Sequence, residues 1–507
     1  RTNDSASTYV NAQIYETLYR IDPETDEYMP LLAADMPEYS EDGLTVTVKL
    51  REGVTFHDGT PFNSEAVKYT FDLIKDPDFG SARASIAGSI DSMECPDDYT
   101  IVFHLLYEDG VFTAKLAHTN SAIVSPTAQQ NQDLMTQPCG TGPYKFVSFE
   151  NQTVTLELNE NFMGDYQGNK PTIQYIVQKA IPQDTSHDAV IAGDVDIVAG
   201  NIEGYKIEAA KAAETVVTHS YLRNGYGYLA MHCDWGPTAD ANVRWALAYL
   251  VDRNAVVDYV LGGYGGIVHA EYGLAQWMYE EAGADLEEML TPFNLNVDKA
   301  NELLDQTEWK YEADGTTPFD ASKATADGSY LRYNAEGEPL QIHHMGSEEN
   351  EVTDIIEIQY VANAPLAGIA FDVTRADFNA LLDNFHYGYE LGEDRYYNTF
   401  NLATSFSAAF DPYMSWHSSK CGTWENSCQL MRMRKKPNLI PRLAACGELI
   451  IAVPKAHRGH WQELMPQIPL YSNEYYDFAY YTVDGIENTT PFATWEDVIC
   501  YISKSAK

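Results

Sequence analysis

Two hydrophobic periods alternate along this chain, and that alternation constrains its fold more than any other feature. Leu44, Val46, Val48 and Leu50 are spaced two apart, so they line one face of an extended strand that must be buried against something. After a turn at Phe56-His57-Asp58-Gly59-Thr60-Pro61 the period lengthens to that of a helix: Asn63 or Ser64 supplies the N-cap, and Val67, Phe71 and Ile74 align behind it. The same switch recurs. Residues 100–106 alternate, and Gly140-Thr141-Gly142-Pro143-Tyr144 leads stiffly into strands at 144–149 and 153–158. Asp240 caps a helix that aligns Val243, Ala246, Leu247 and Leu250 and closes near Gly262-Gly263. Further helices are expected over residues 10–21, with Ile14, Leu18 and Ile21 in line, and over 299–304; a strand with Ile369, Phe371 and Val373 precedes a helix bearing Phe378, Leu381 and Leu382. No regular βαβ spacing and no internal repeat orders these pieces, which predicts a mixed α+β or α/β chain in several lobes. At about 100–200 residues per domain, the 507 residues make two or three units. The polar stretch 313–337 reads as a surface insertion.

Charge removes several function classes. Lys+Arg number 32 against 75 Asp+Glu, a net charge of -43, and a surface that acidic repels nucleic-acid phosphates and anionic headgroups and disfavours steering of anionic solutes. No stretch reaches the roughly 18–20 apolar residues that span a bilayer, and Arg1-Thr2-Asn3-Asp4-Ser5 is not a signal peptide. The seven Cys are odd in number and scattered, without CxxC or a Cys/His cluster of metal spacing; Cys421 and Cys428 are close enough to pair, but isolated small residues are the simpler reading. His343-His344 lacks a third ligand and no HExxH or GxSxG occurs. Gly262-Gly263-Tyr264-Gly265-Gly266 follows a helix and has no Lys-Ser/Thr, so it is a C-cap and loop, not a phosphate cradle. No metal or cofactor is expected. The unusual supply is phenol: 35 Tyr, dense at Tyr226 and Tyr228 and again at Tyr471, Tyr475, Tyr476, Tyr480 and Tyr481. Such rings build cores, and they also wall pockets.

Particular segments go further. Ile14-Tyr15-Glu16-Thr17-Leu18-Tyr19, Pro30-Leu31-Leu32-Ala33, Asp42-Gly43-Leu44-Thr45-Val46 and the run Leu50-Arg51-Glu52-Gly53-Val54-Thr55-Phe56-His57-Asp58-Gly59-Thr60-Pro61 come first. They continue with Gly140-Thr141-Gly142-Pro143-Tyr144, Ala192-Gly193-Asp194-Val195-Asp196-Ile197, Asn242-Val243-Arg244-Trp245-Ala246-Leu247, Val251-Asp252-Arg253, Phe410-Asp411-Pro412 and Pro466-Gln467-Ile468-Pro469-Leu470-Tyr471. In this order, along nearly the whole chain, they resemble the family 5 extracellular solute-binding proteins, the oligopeptide- and dipeptide-binding components of ABC importers. Read alone, Gly53 and Gly59 punctuate a strand-turn-helix unit, and Arg244, one residue past the apolar stripe of its helix, suits a solvated or capping role.

The resemblance implies a periplasmic-binding-protein-like α/β (mixed α+β) fold, two large lobes and a smaller one around a hinged cleft. Residues 1–32, 172–262 and 463–507 would form a discontinuous first lobe, 33–171 the smaller second lobe and 263–462 the third. It implies a monomeric, non-catalytic receptor that captures a small-molecule or peptide ligand by hinge closure and delivers it to the membrane permease of an ABC importer. The setting would be extracytoplasmic, in the periplasm or on the outer face of the cell membrane, lipid-anchored in the full-length form. Ligand-facing positions are expected at Tyr226, Phe406, Phe410, Asp411, Trp416 and Tyr471, from their place near the family's ligand-facing segments and their chemistry. Two departures shape the expectation. Peptide-binding members hold the ligand's ammonium with an Asp shortly before the Asp-Pro element, where this chain has Ala408 or Ala409. Unless Asp411 takes that role, N-blocked peptides, sugars or other neutral solutes gain weight. Members also carry a strand, and a signal peptide or anchoring Cys, ahead of the Tyr-Glu-Thr-Leu helix, so the chain is expected to be a trimmed form. A secreted acidic hydrolase is the competing class. Residues 429–461 carry seven basic residues and one acidic in an otherwise acidic chain; the string reads as a locally shifted frame, and no site is assigned to it.

Overall fold

The computed structural model describes residues 5–406 and 461–505, apart from 24, 26, 80, 82, 83, 132 and 135. Phe410, Asp411, Trp416, the Cys421 and Cys428 pair and the basic segment up to residue 460 lie outside the described residues. The chain forms two compact units, one of residues 1–200, 209–221 and 476–507, the other of 201–208 and 222–475.

In the first unit the alternating strand is realised as Thr45–Lys49, paired antiparallel with Thr100–Leu105 in a sheet ordered Glu38–Tyr39, Thr45–Lys49, Thr100–Leu105, Ile90–Asp97. Val46, Val48 and Leu50 are buried, whereas Leu44, just outside the strand, is exposed. The helix Ser64–Lys75 packs on this sheet. Its cap is Asn63, whose side chain accepts the Ala66 N–H at 3.1 Å, and its Phe71 meets Phe103 edge to face at 5.4 Å. A separate core joins Ile14, Tyr144, Leu156 and Ile176 to Val483, Val498 and Ile502.

The helix expected over residues 10–21 is shorter: it spans Ser5–Ile14. The Ile14 carbonyl accepts the Gly142 N–H at 2.9 Å, and a Cβ on Gly140 would fall 2.2 Å from the same oxygen. The 140–142 segment therefore occupies the path along which the helix would continue, and only glycine permits so close an approach. Tyr19–Ile21 pairs instead with Tyr28–Pro30.

In the second unit the strand Gly225–Met231 pairs antiparallel with Thr399–Ser405 on one side and with residues 467–471 of the strand Gln467–Tyr480 on the other. Beyond Thr399–Ser405 lie Gln341–Ser347 and then Ala370–Ala376, both joined in parallel. The helix expected from Asp240 is two helices, Ala241–Ala248 and Arg253–Val260, because Asp252 is a second N-cap that accepts the Asn254 and Ala255 N–H groups. Gly262 and Gly263 take left-handed φ of 59 and 89°, as a C-cap requires, but Gly265–Ile267 is a short strand against residues 471–473. The other expected elements are Val297–Leu304, Ala370–Ala376 and Phe378–Tyr387; Phe378 is exposed and Leu381 buried. Arg244 corrects the sequence reading. It is 3% exposed and donates to the carbonyls of Thr238, Ala239, Leu464 and Met465, so it ties its helix to the chain around 464 instead of facing solvent.

Candidate functional site

The strand Gly225–Met231 is buried along its whole length because its two faces meet different cores. Tyr226, Tyr228 and Ala230 pack with Met345, Leu381 and Phe400; Leu229 and Met231 pack with Val243, Leu247 and Ile342. Glycine makes the two closest approaches possible. A Cβ on Gly225 would lie 2.0 Å from the Thr404 carbonyl oxygen, and one on Gly227 would lie 2.5 Å from the Tyr471 ring.

At the first end of this strand the aromatic residues assemble. Tyr226 and Phe406 stack with centroids 5.7 Å apart and planes 24° from parallel, and Tyr226 lies 5.1 Å from Tyr228. Phe406 is held from both sides: its N–H donates to the Asn224 carbonyl at 2.7 Å and its carbonyl accepts the Asn224 side-chain N–H at 2.9 Å. The Tyr226 hydroxyl donates to Gln467 at 2.5 Å, which fixes the ring. Tyr226 is 1% exposed and acts as the platform under Phe406, which is partly exposed. Tyr272 and Tyr279 stack at 5.0 Å in the same core.

Of the expected ligand-facing residues, Tyr226 and Phe406 are thus brought together. Tyr471 is not with them: it sits on the opposite sheet face over Gly227, 3% exposed, its phenol pushed up to about 12 by burial. The His343-His344 pair is structural here. His344 is buried with its ring nitrogens on Thr399 and Asn401 at 2.9 and 3.2 Å, and burial lowers its pKa to about 4. His343 lies 2.6 Å from Asp372 and stacks on Tyr396. Among the described residues no group of His, Cys, Asp and Glu is arranged to hold a metal.

One residue beside the aromatic end gave no signal in the sequence. The Arg223 guanidinium is 6% exposed; it donates to Asn473 Oδ1 at 3.1 Å and to the Thr404 carbonyl at 2.9 Å, with the Tyr475 ring over its face at 5.2 Å. A lone Arg between two strands has no periodic pattern to betray it, and only the fold places it between Asn473 and Thr404.

Against this geometry, residues 27–426 match the family described as bacterial extracellular solute-binding proteins, family 5, middle. The chain belongs to this family. Among its family 5 relatives, the glutathione-binding protein GsiB of Pectobacterium atrosepticum is 32% identical over 273 residues, 52% of this chain and 51% of that one. The oligopeptide-binding protein AppA of Bacillus subtilis is 27% identical over 333 residues, 64% of this chain and 59% of that one. The chain thus spans between half and three-fifths of the length of these curated relatives. The solved structure of the B. subtilis oligopeptide-binding protein AppA with a nonapeptide superimposes with a TM-score of 0.83 at 21% identity, covering 100% of this chain and 95% of that one. The periplasmic binding protein DppA of Helicobacter pylori with the peptide STSA gives 0.80 at 19% identity, covering 99% and 94%. The fold is therefore the mixed α/β fold of periplasmic binding proteins, as expected. No helix of the described residues is long and apolar enough to cross a membrane.

Proposed function

We propose that the protein is an extracytoplasmic receptor that captures an oligopeptide by hinge closure and hands it to the permease of an ABC importer, without catalysing a reaction. The observation that carries this reading is the family 5 match over residues 27–426, reinforced by relatives named for binding glutathione and oligopeptides. Peptides are recognised by main-chain pairing with pockets for alternate side chains. Phe406 on its Tyr226 platform, with Phe410 and Trp416 following in the chain, would supply the apolar part of such a pocket and Asp411 a carboxylate for a ligand ammonium; Tyr471 would brace the neighbouring strand. A three-lobe arrangement fits the two separate cores of the first unit, one within residues 18–139 and one joining residues before 200 to the C-terminal segment.

A second reading, a non-peptide solute, is favoured by one observation: the binding protein AgaA in complex with agropinic acid superimposes with a TM-score of 0.80 at 18% identity, covering 99% of this chain and 95% of that one. Native mass spectrometry of protein purified without denaturation separates the two. Peptide masses released on unfolding are expected; a sugar or opine mass would replace the first reading by the second.

A further inference from the structure

Arg223 is one of four buried arginines among the described residues of the second unit, with Arg244, Arg253 and Arg332, and it differs from the other three in how its donors are used. A guanidinium carries five N–H donors. Arg244 spends them on the carbonyls of Thr238, Ala239, Leu464 and Met465. Arg332 reaches Ala367, Asp305, Trp309 and both oxygens of Asn301. Arg253 makes four contacts, with Val268, Pro469, Phe293 and His269. Those three are structural staples.

Arg223 makes only two, to Asn473 and Thr404; its Nε, like that of Arg253, has no partner. A buried cation with donors to spare is costly unless something anionic completes it, yet none of the 75 carboxylates of the chain that are described pairs with it. Its immediate neighbours are neutral: an amide, a carbonyl and the face of Tyr475. Its backbone is fixed, the N–H donating to the Asn473 carbonyl at 2.9 Å and the carbonyl accepting the Ala275 N–H at 3.1 Å. The next residue, Asn224, holds Phe406, so cation and candidate ligand ring are held at consecutive residues ahead of the strand Gly225–Met231, the cation on the side of Asn473 and Tyr475. In a chain of net charge -43 the general field repels anions, and an acidic ligand needs a local fixed cation of this kind.

We propose that Arg223 is the anion-recognition group of the ligand site, and that the solute presents a carboxylate to it at the first end of the strand Gly225–Met231. This rests on the solute-binding reading and narrows it: the preferred ligand is a peptide bound through its terminal carboxylate or an acidic side chain. A planar fork pairs with a carboxylate through two parallel hydrogen bonds.

The test uses the full chain and three synthetic tetrapeptide libraries: free acids, C-terminal amides, and amides with Glu at one position, each scored by thermal shift and then titrated. Free acids are expected to bind about tenfold or more tighter than amides, since charged hydrogen bonds are among the strong ones. Recovery of that advantage by the Glu-containing amides would assign the carboxylate to a side chain, and its absence to the terminus. In Arg223→Gln the advantage of acids over amides should vanish while amide binding persists, which also shows the variant to be folded; Arg223→Lys, which keeps the charge without the fork, should retain part of it. Equal binding of all three libraries by the unaltered protein overturns the proposal and leaves the receptor reading intact. Stabilisation by none of the libraries overturns the peptide reading and this proposal with it.

Discussion

The strand Thr45–Lys49 has one buried face and the strand Gly225–Met231 has two. In the first, Val46 and Val48 point into the core and Thr45, Thr47 and Lys49 do not, so its environment is a single apolar layer against helix Ser64–Lys75. In the second, each face meets a separate core, and the strand is threaded through spaces so narrow that Gly225 and Gly227 are required. A one-faced strand tolerates change on its open side. A two-faced strand tolerates little, and its rigidity is what allows its first end to hold Arg223, Tyr226 and Phe406 in fixed relation.

The largest effect should come from the one-faced region's core. Phe103 lies between Phe71 and Phe112, edge to face with both, so Phe103→Ala should cost about 3–5 kcal/mol by chemical denaturation, with loss confined to the first unit in hydrogen exchange. Loss spread equally over both units would deny that they are separate cores. Gly225→Ala should follow, at about 3 kcal/mol or less, since the new methyl meets the Thr404 backbone oxygen; if the thermal midpoint does not move, the tightness of the second strand is wrong.

Acid and base should then separate the two units. In the first, burial lifts the Glu496 carboxyl from 4.5 to about 8. Between those values the folded chain holds a proton the unfolded chain has released, so this group's contribution falls as pH rises, by at most about 1.4 kcal/mol per pH unit. In the second, burial lowers His344 from 6.5 to about 4; there the unfolded chain binds the extra proton and stability falls as pH drops from 6.5 toward 4. Burial also lifts Glu16 to about 7, so denaturation across pH should show Glu496→Gln reducing the alkaline loss, most clearly between pH 7 and 8, without changing the acid one. The smallest effect belongs to Asn63→Ala, about 1 kcal/mol through the lost cap, readable as a small midpoint shift in the first unit alone.

The one-faced region was legible in the sequence because period-two alternation and a capped helix leave local marks: Val46, Val48, Asn63 and Phe71 all fall where the spacing places them. The helix over 10–21 failed because what ends it, the approach of Gly140 and Gly142 to Ile14, comes from more than a hundred residues away. Arg244 read as solvated or capping for the same reason, since the carbonyls that hold it belong to residues 464 and 465 as well as to its own neighbourhood. At the candidate site, Tyr226 and Phe406 were visible as aromatic residues near segments the family resemblance marked. Tyr471, marked by the same argument, lies on the other face of the sheet, where period two sends it. Arg223 left no mark at all, because a buried, half-used guanidinium is defined only by its partners in space.

A receptor binds its solute and returns it unchanged. The direct measurement is the thermal midpoint of the intact protein against increasing tetrapeptide library, with the library analysed by mass spectrometry before and after prolonged incubation. Saturable stabilisation, rising as RT ln(1 + [L]/Kd), with every peptide recovered intact is the result expected of a receptor. Steady accumulation of cleaved products would contradict it and favour the competing secreted acidic hydrolase.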